Sequence, residues 1–150
     1  MKSAFTMIEL IFVIVIIGIL VSIAAIKLGA TRDDAKLIQT VSNIKVATTD
    51  IVSYAFAKNS LSNNILDMSN ALKIMVNQNQ AFLENNSSIK IKMGNINDCL
   101  TYKIVKNTIN STIVINKGNA NGDSRCLSLQ NKINISDYPV RIRGQLIIND

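Results

Sequence analysis

The sequence predicts an α+β fold in which a long N-terminal helix, its first half transmembrane, packs against a small antiparallel sheet. Three observations predict it. Residues 10–26 form an apolar run without a charge, interrupted only by Gly18 and Ser22. Residues 33–58 continue without a proline, but their apolar side chains recur on one side only. From residue 89 the period changes from helical to alternating, in short stretches separated by Asn, Gly and Ser. A sheet with one apolar face laid on one side of a long helix is an α+β roll.

The first element is the apolar run. A span needs about 20 predominantly apolar residues at about 1.5 Å each, and the run reaches that length with Met7 and Ile8. Its Ile and Val are tolerated in lipid because every backbone group is bonded inside the helix. Glu9 is the anomaly, since a carboxylate in the first turn of a span is expensive when it lies in lipid. Two readings are open. Either Glu9 sits wet at the headgroup boundary, or it waits for a positive partner inside a protein assembly. In the second reading the partner is the amino terminus of a neighbouring copy, which requires a new N-terminus close to Phe5.

The second half of the helix is amphipathic. Leu37, Val41, Ile44, Thr48, Ile51 and Ala55 recur at spacings of three and four and share one face. Ile38, Ala47 and Val52 widen that face, and Lys36, Lys45 and Asp50 lie elsewhere. Gly29 offers a place for a bend at the junction. One nearly continuous helix is expected from Phe5 to Lys58, about 80 Å long at 1.5 Å per residue. Its first half needs lipid or other helices around it, and its second half needs a domain against it.

Residues 59–64 are a polar break with turn and capping chemistry. A second helix follows, with Leu66, Ala71, Leu72, Met75 and Val76 as its stripe and Ser69 or Asn64 as its cap. Residues 77–86 are rich in amides, with Phe82 and Leu83 as the expected anchor. Residues 89–93 alternate strictly, as a half-buried strand does. Residues 100–106 and 112–116 read as strands joined by 107–111. Residues 126–129 read as a short strand. Residues 140–148 read as another, with Arg141 and Arg143 opposite Val140 and Ile142.

Lys2-Ser3-Ala4-Phe5-Thr6-Met7-Ile8-Glu9-Leu10, followed by the apolar run, resembles the class III signal peptide of type IV pilins and type II secretion pseudopilins. That family's pattern is a basic leader, a small residue that is usually Gly, then Phe-Thr-Leu-Ile-Glu-Leu and a hydrophobic helix. The resemblance covers about the first 30 residues, and beyond them only the architecture is comparable. It implies cleavage by prepilin peptidase between Ala4 and Phe5, and N-methylation of Phe5. It gives Glu9 a role in filament assembly, neutralising the Phe5 amine of an adjacent subunit.

The implied organisation is a leader at 1–4, a transmembrane helix half at 5–28, an amphipathic half at 29–58 and an exported globular pilin-like domain at 59–150. The implied location is a single pass in the bacterial inner membrane, with the C-terminal domain periplasmic or extracellular in a filament. The implied partners are prepilin peptidase, other pilin or pseudopilin subunits and an inner-membrane assembly platform. Ala4 stands where the family usually has Gly. Ile26 stands where major pilins often carry a helix-bending Pro, which moves the reading toward a minor pilin or pseudopilin. Gly18 matches a glycine common in the family. The expected function is a structural subunit of a type IV filament system, whether type II secretion, type IV pilus or DNA-uptake pseudopilus.

The alternative is a membrane-anchored or secreted periplasmic binding module outside any filament. An ordinary signal peptide finds a cleavage site in residues 22–25, Ser-Ile-Ala-Ala. Against it stand Glu9 ahead of the core and a core longer than the usual run of about 7–15 residues. Lys2 lies before the run and Lys27 and Arg32 after it, so the positive-inside rule does not orient the chain.

Composition excludes much chemistry. There is no His, so His-based triads and zinc-protease motifs are ruled out. Residues 117–123 lack the Gly-Lys-Ser/Thr of a phosphate loop. No enzyme, cofactor or metal is expected. Residues 119–123 place oxygen-bearing side chains around a Gly as a calcium loop does, but Asp123 is their only anion and no bidentate Glu follows. A plain polar turn is the competing reading. Cys99 and Cys126 read as a disulfide closing a loop of about 28 residues, worth roughly 3 kcal/mol in the chain-entropy model. Two unpaired buried thiols are the other reading.

The chain carries a formal net charge of +6. From residue 86 onward nine Lys or Arg stand against four Asp, a net +5. Such a surface attracts polyanions in a salt-dependent way, and DNA contact during uptake is one reading of it. A solvated sheet face whose lysines discourage edge pairing is the other. Tyr102 and Tyr138 alone offer little for base stacking. Finally, Glu84-Asn85-Asn86-Ser87-Ser88 resembles the extended bacterial N-glycosylation sequon, acidic-x-Asn-x-Ser/Thr, with Asn86 as the acceptor. Most matches of that kind go unmodified in bacteria.

Overall fold

A computed structural model of the chain describes residues 6–107, 110–142 and 147–148, with the side chains of 23–31 and 147–148 excepted. Among the described residues the architecture is α+β, as expected, with three α-helices and a five-stranded antiparallel sheet. The chain divides into two compact units, Met1–Lys36 and Leu37–Asp150.

In the first unit, helix α1 (Met7–Lys58) begins immediately after Thr6. It is assigned through Gly18 and Gly29 without interruption. The described side chains of its apolar stretch are exposed, among them Phe12 at 67% and Leu20 at 61%. Among the described residues no helix is long and apolar enough to cross a membrane. The described side chains of the apolar run stop at Ser22. Ala4 and Phe5 lie outside the described residues.

In the second unit, α1 presents Thr40, Ile44, Ala47, Ile51 and Ala55 to the core, with Leu37, Val41, Thr48 and Val52 half-buried. Spacing of three and four makes that face, as the sequence predicts. Ile38 departs from it. It was expected to widen the buried face, yet it is 68% exposed, because it stands at the margin of the face, away from the buried row of Thr40, Ile44, Ala47 and Ile51. Strand β1 (Ser60–Leu61) and a 3-10 turn (Ile65–Met68) follow, then helix α2 (Asn70–Asn77). Both capping candidates are used. Asn64 accepts from the Leu66 N–H at the 3-10 turn, and Ser69 accepts from the Leu72 N–H at α2. Ser69 also donates to Asp50 on α1 at 2.8 Å, tying α2 to the long helix.

The main sheet has the order β2-β3-β4-β5-β6, with β2 at Ala81–Asn85, β3 at Ser88–Met93, β4 at Ile96–Val105, β5 at Thr112–Lys117 and β6 at Val140–Arg141. Its strands are antiparallel, with Ile91 opposite Leu100 and Tyr102 opposite Ile115. Ile89, Ile91, Leu100, Tyr102, Ile104, Ile113 and Ile115 form its inner face and share one core with Ile44, Ala47, Ile51 and Ala55. Burying that face is the main favourable term of the fold. Gly118 ends β5 so close to β4 that a Cβ there would strike the Asp98 carbonyl.

Three expectations are corrected. Phe82 and Leu83 do not anchor the amide-rich stretch. They lie exposed on the edge strand β2, and the small Ala81 is the residue that is buried. Residues 126–129 are not a strand but part of helix α3 (Ser124–Lys132), whose Cys126, Leu129 and Gln130 are buried at helical spacing. The four residues Cys-Leu-Ser-Leu are too few to fix a period, and Asp123 ahead of them supplies the helix cap. The expected strand 140–148 is two. β6 stops at Arg141, and β7 (Ile147–Ile148) pairs parallel with β1 in a separate two-stranded sheet. Arg143 lies outside the described residues.

Candidate functional site

At the start of α1, the Thr6 N–H and hydroxyl both donate to Glu9 Oε2, at 2.8 and 2.7 Å. The Glu9 N–H points back to Thr6 Oγ1 at 3.4 Å, and the Thr6 carbonyl accepts the first helical bond from Leu10. Thr-x-x-Glu with these bonds is a capping box, in which two orphan donors of the helix start are satisfied reciprocally. The carboxylate also faces the positive end of the helix dipole. Thr6-Met7-Ile8-Glu9 spells this local role in the sequence itself. Met7 at 81% and Ile8 at 75% exposure flank the acid, so it stands among uncovered apolar side chains.

In the second unit, Cys99 on β4 and Cys126 on α3 form a disulfide, with Cα atoms 5.6 Å apart. Both are fully buried. Gln130 Nε2 donates to the carbonyls of Cys99 and Gly118, each at 2.9 Å, so the brace joins α3, β4 and the end of β5. Asp123 clasps the same region. Its carboxylate accepts from the backbone N–H groups of Asn95, Arg125 and Cys126 at 3.1, 2.9 and 3.1 Å. It therefore caps α3 and holds the β3–β4 turn, where Gly94 has φ +62°. These oxygens are engaged within the fold, and Asn119 Oδ1 accepts from the Asn121 N–H, which is the bonding of a polar turn. Among the described residues no three His, Cys, Asp or Glu gather to hold a metal.

The Asn95 N–H, then the Cys126 N–H, hold the Asp123 carboxyl below the usual carboxylate range. A depressed folded value means that the stabilisation is present above the unfolded pKa, about 3.9, and is lost as pH falls through the folded one. Asp123→Ala is accordingly expected to lower Tm at neutral pH by about 5 °C, with the gap to the parent closing in thermal melts taken below about pH 4.

Behind β4, the Thr48 hydroxyl meets the hydroxyls of Tyr102 and Tyr138 at 3.2 and 3.3 Å, and burial pushes the Tyr102 phenol up. On the outer sheet face Lys90 lies 3.1 Å from Glu84 and 2.9 Å from Asp98. Lys92 sits 5.4 Å over the Phe82 ring, Lys106 bonds the Ser62 carbonyl, and Arg125 faces Asp123. The basic excess read from the sequence is thus partly spent within the fold. Lys103, Lys117, Lys132 and Arg141 carry no ion pair among the described residues. A groove of about 310 Å³ is lined by Leu37, Ile38, Val41, Ser42, Lys45 and Lys132, and this lining offers no nucleophile paired with a base.

These features define an α+β unit that includes the second half of α1, and a first unit in which α1 opens on a capped acid among exposed apolar side chains. Compared with known proteins, the chain matches no family model, no curated protein and no solved structure.

Proposed function

We propose that this chain is a structural subunit, a minor pilin or pseudopilin, of a type IV filament system. Prepilin peptidase cuts it between Ala4 and Phe5 and methylates Phe5. Residues 5–28 cross the inner membrane, and residues 59–150 form a pilin-like roll outside it. An assembly platform then moves subunits from the membrane into a filament, where the Phe5 amine of one copy meets Glu9 of the next. In this reading the chain is not an enzyme.

The observation that carries the reading is the single acid, Glu9, at the mouth of an apolar helix with uncovered neighbours. Such a helix needs an apolar surround, and the acid inside that surround needs a counter-charge. The capping box accounts for the acid in a chain that stands alone. It does not account for the Phe-Thr-Met-Ile-Glu-Leu motif directly after a small residue and a basic leader, which the pilin resemblance does.

The test is mass spectrometry of the mature N-terminus from cells that carry a prepilin peptidase. N-methylated Phe5 is expected. A terminus near Ile26 would mean an ordinary signal peptide, and Met1 would mean an uncleaved anchor. Either result replaces the filament reading with a binding module.

A further inference from the structure

We propose that Asn86 is an acceptor for N-linked glycosylation, taking its oligosaccharide from a polyprenyl-diphosphate donor. The inference rests on the reading that residues 59–150 are exported, because such donors are used outside the cytoplasm.

The sequence holds four Asn-x-Ser/Thr triplets, at Asn85, Asn86, Asn110 and Asn134. The residue two places before each is Leu83, Glu84, Thr108 and Lys132. Only Asn86 has an acid there. The fold separates the candidates a second time. Asn85 Oδ1 accepts from the Ser87 N–H at 2.9 Å. Asn134 is fully engaged, with Oδ1 accepting from Ser136 and Nδ2 donating to Asp137 at 3.0 Å. Asn86 is held through its backbone instead, its carbonyl accepting from the Ile65 N–H at 2.7 Å. Its side-chain amide makes no hydrogen bond among the described residues. It stands exposed in the two-residue turn between β2 and β3, which is anchored on both sides by the sheet.

The flanking residues that define the sequon meet beneath it. The Ser88 hydroxyl donates to Glu84 Oε2 at 2.9 Å, and Lys90 grips Glu84 Oε1. Ser88 is buried in the folded chain, so an enzyme that reads this hydroxyl acts before β3 closes onto the core. In the transfer, the Asn86 amide nitrogen bonds to C1 of the first sugar and loses one proton to solvent. The bond from C1 to the diphosphate oxygen breaks, and polyprenyl diphosphate leaves. No oxidant or reductant takes part. The product places a bulky hydrophilic group at a hairpin tip, where it displaces no core contact.

The experiment is peptide mass spectrometry of the full chain from cells carrying a bacterial N-oligosaccharyltransferase and its lipid-linked donor. One oligosaccharide is expected on the peptide containing Asn86, lost in Asn86→Gln and in Glu84→Gln. The unsubstituted chain alone decides the site, so a folding defect in either variant does not blunt the test. Sugar on Asn110 or Asn134 with Asn86 bare overturns the assignment. The same spectra read the N-terminus. A bare Asn86 on a chain beginning at Phe5 overturns the glycosylation alone, whereas a bare Asn86 on a chain beginning at Met1 overturns it together with the filament reading.

Discussion

In the proposed filament, Glu9→Ala is expected to leave the chain in the membrane fraction and to remove it from sheared filaments. The loss should be about a hundredfold or more, since an amine buried without its counter-charge is strongly disfavoured. Membrane insertion should persist, because the substitution makes the helix more apolar. Alanine also removes the carboxylate that accepts from Thr6, so the variant loses a helix cap as well as a charge. Glu9→Gln separates the two. A glutamine at this position still serves a capping box but carries no charge. If Glu9→Gln enters filaments as the parent does, the acid is a cap and nothing more, and the pairing with Phe5 is wrong. If it is excluded like Glu9→Ala, the charge is what assembly requires. Thr6→Ala completes the set. It weakens the cap and keeps the carboxylate, and it should reduce incorporation far less than either Glu9 variant.

The second large effect is on stability. Replacing Cys99 and Cys126 by serine should cost about 3 kcal/mol, within the roughly 2–5 kcal/mol typical of native disulfides in small exported domains. In a domain of this size that lowers Tm by more than about 10 °C in a calorimetric scan. The location explains why neighbouring contacts are not expected to restore the loss. The two sulfurs are buried between β4 and α3, and Gln130 gathers the carbonyls of Cys99 and Gly118 around them. Two serines there place hydroxyls in the core beside groups already bonded to one another. A Tm within about 2 °C of the parent would show that Asp123 and Gln130 hold α3 without the covalent link.

Much of the fold was legible because burial imposes a period. The face made by Ile44, Ala47, Ile51 and Ala55 and the alternation of Ile89, Ile91 and Met93 both appear in the sequence at the spacing the core demands. The disulfide was one of two readings that the two cysteines allowed, and the 5.6 Å between their Cα atoms decides for it. The capping box was also present in the letters, in Thr6 and Glu9. It went unread because a single acid before an apolar run draws attention to distant partners first. Asp123 was seen only as a weak cation ligand. Its work depends on Asn95, and nothing local announces that the two are neighbours.

The sequence by itself determined the elements whose side chains repeat, namely the long helix with its two characters and the alternating strands β3 to β5. Those follow from local periodicity and residue chemistry. Only the tertiary structure decided that residues 124–132 coil, that the C-terminal stretch splits so that Ile147 and Ile148 pair with Ser60 and Leu61, and that Ile38 and Phe82 stay exposed. Each of those outcomes turns on which surface lies opposite. A short segment offers its apolar side chains to either period, and a neighbour far away in the chain selects between them.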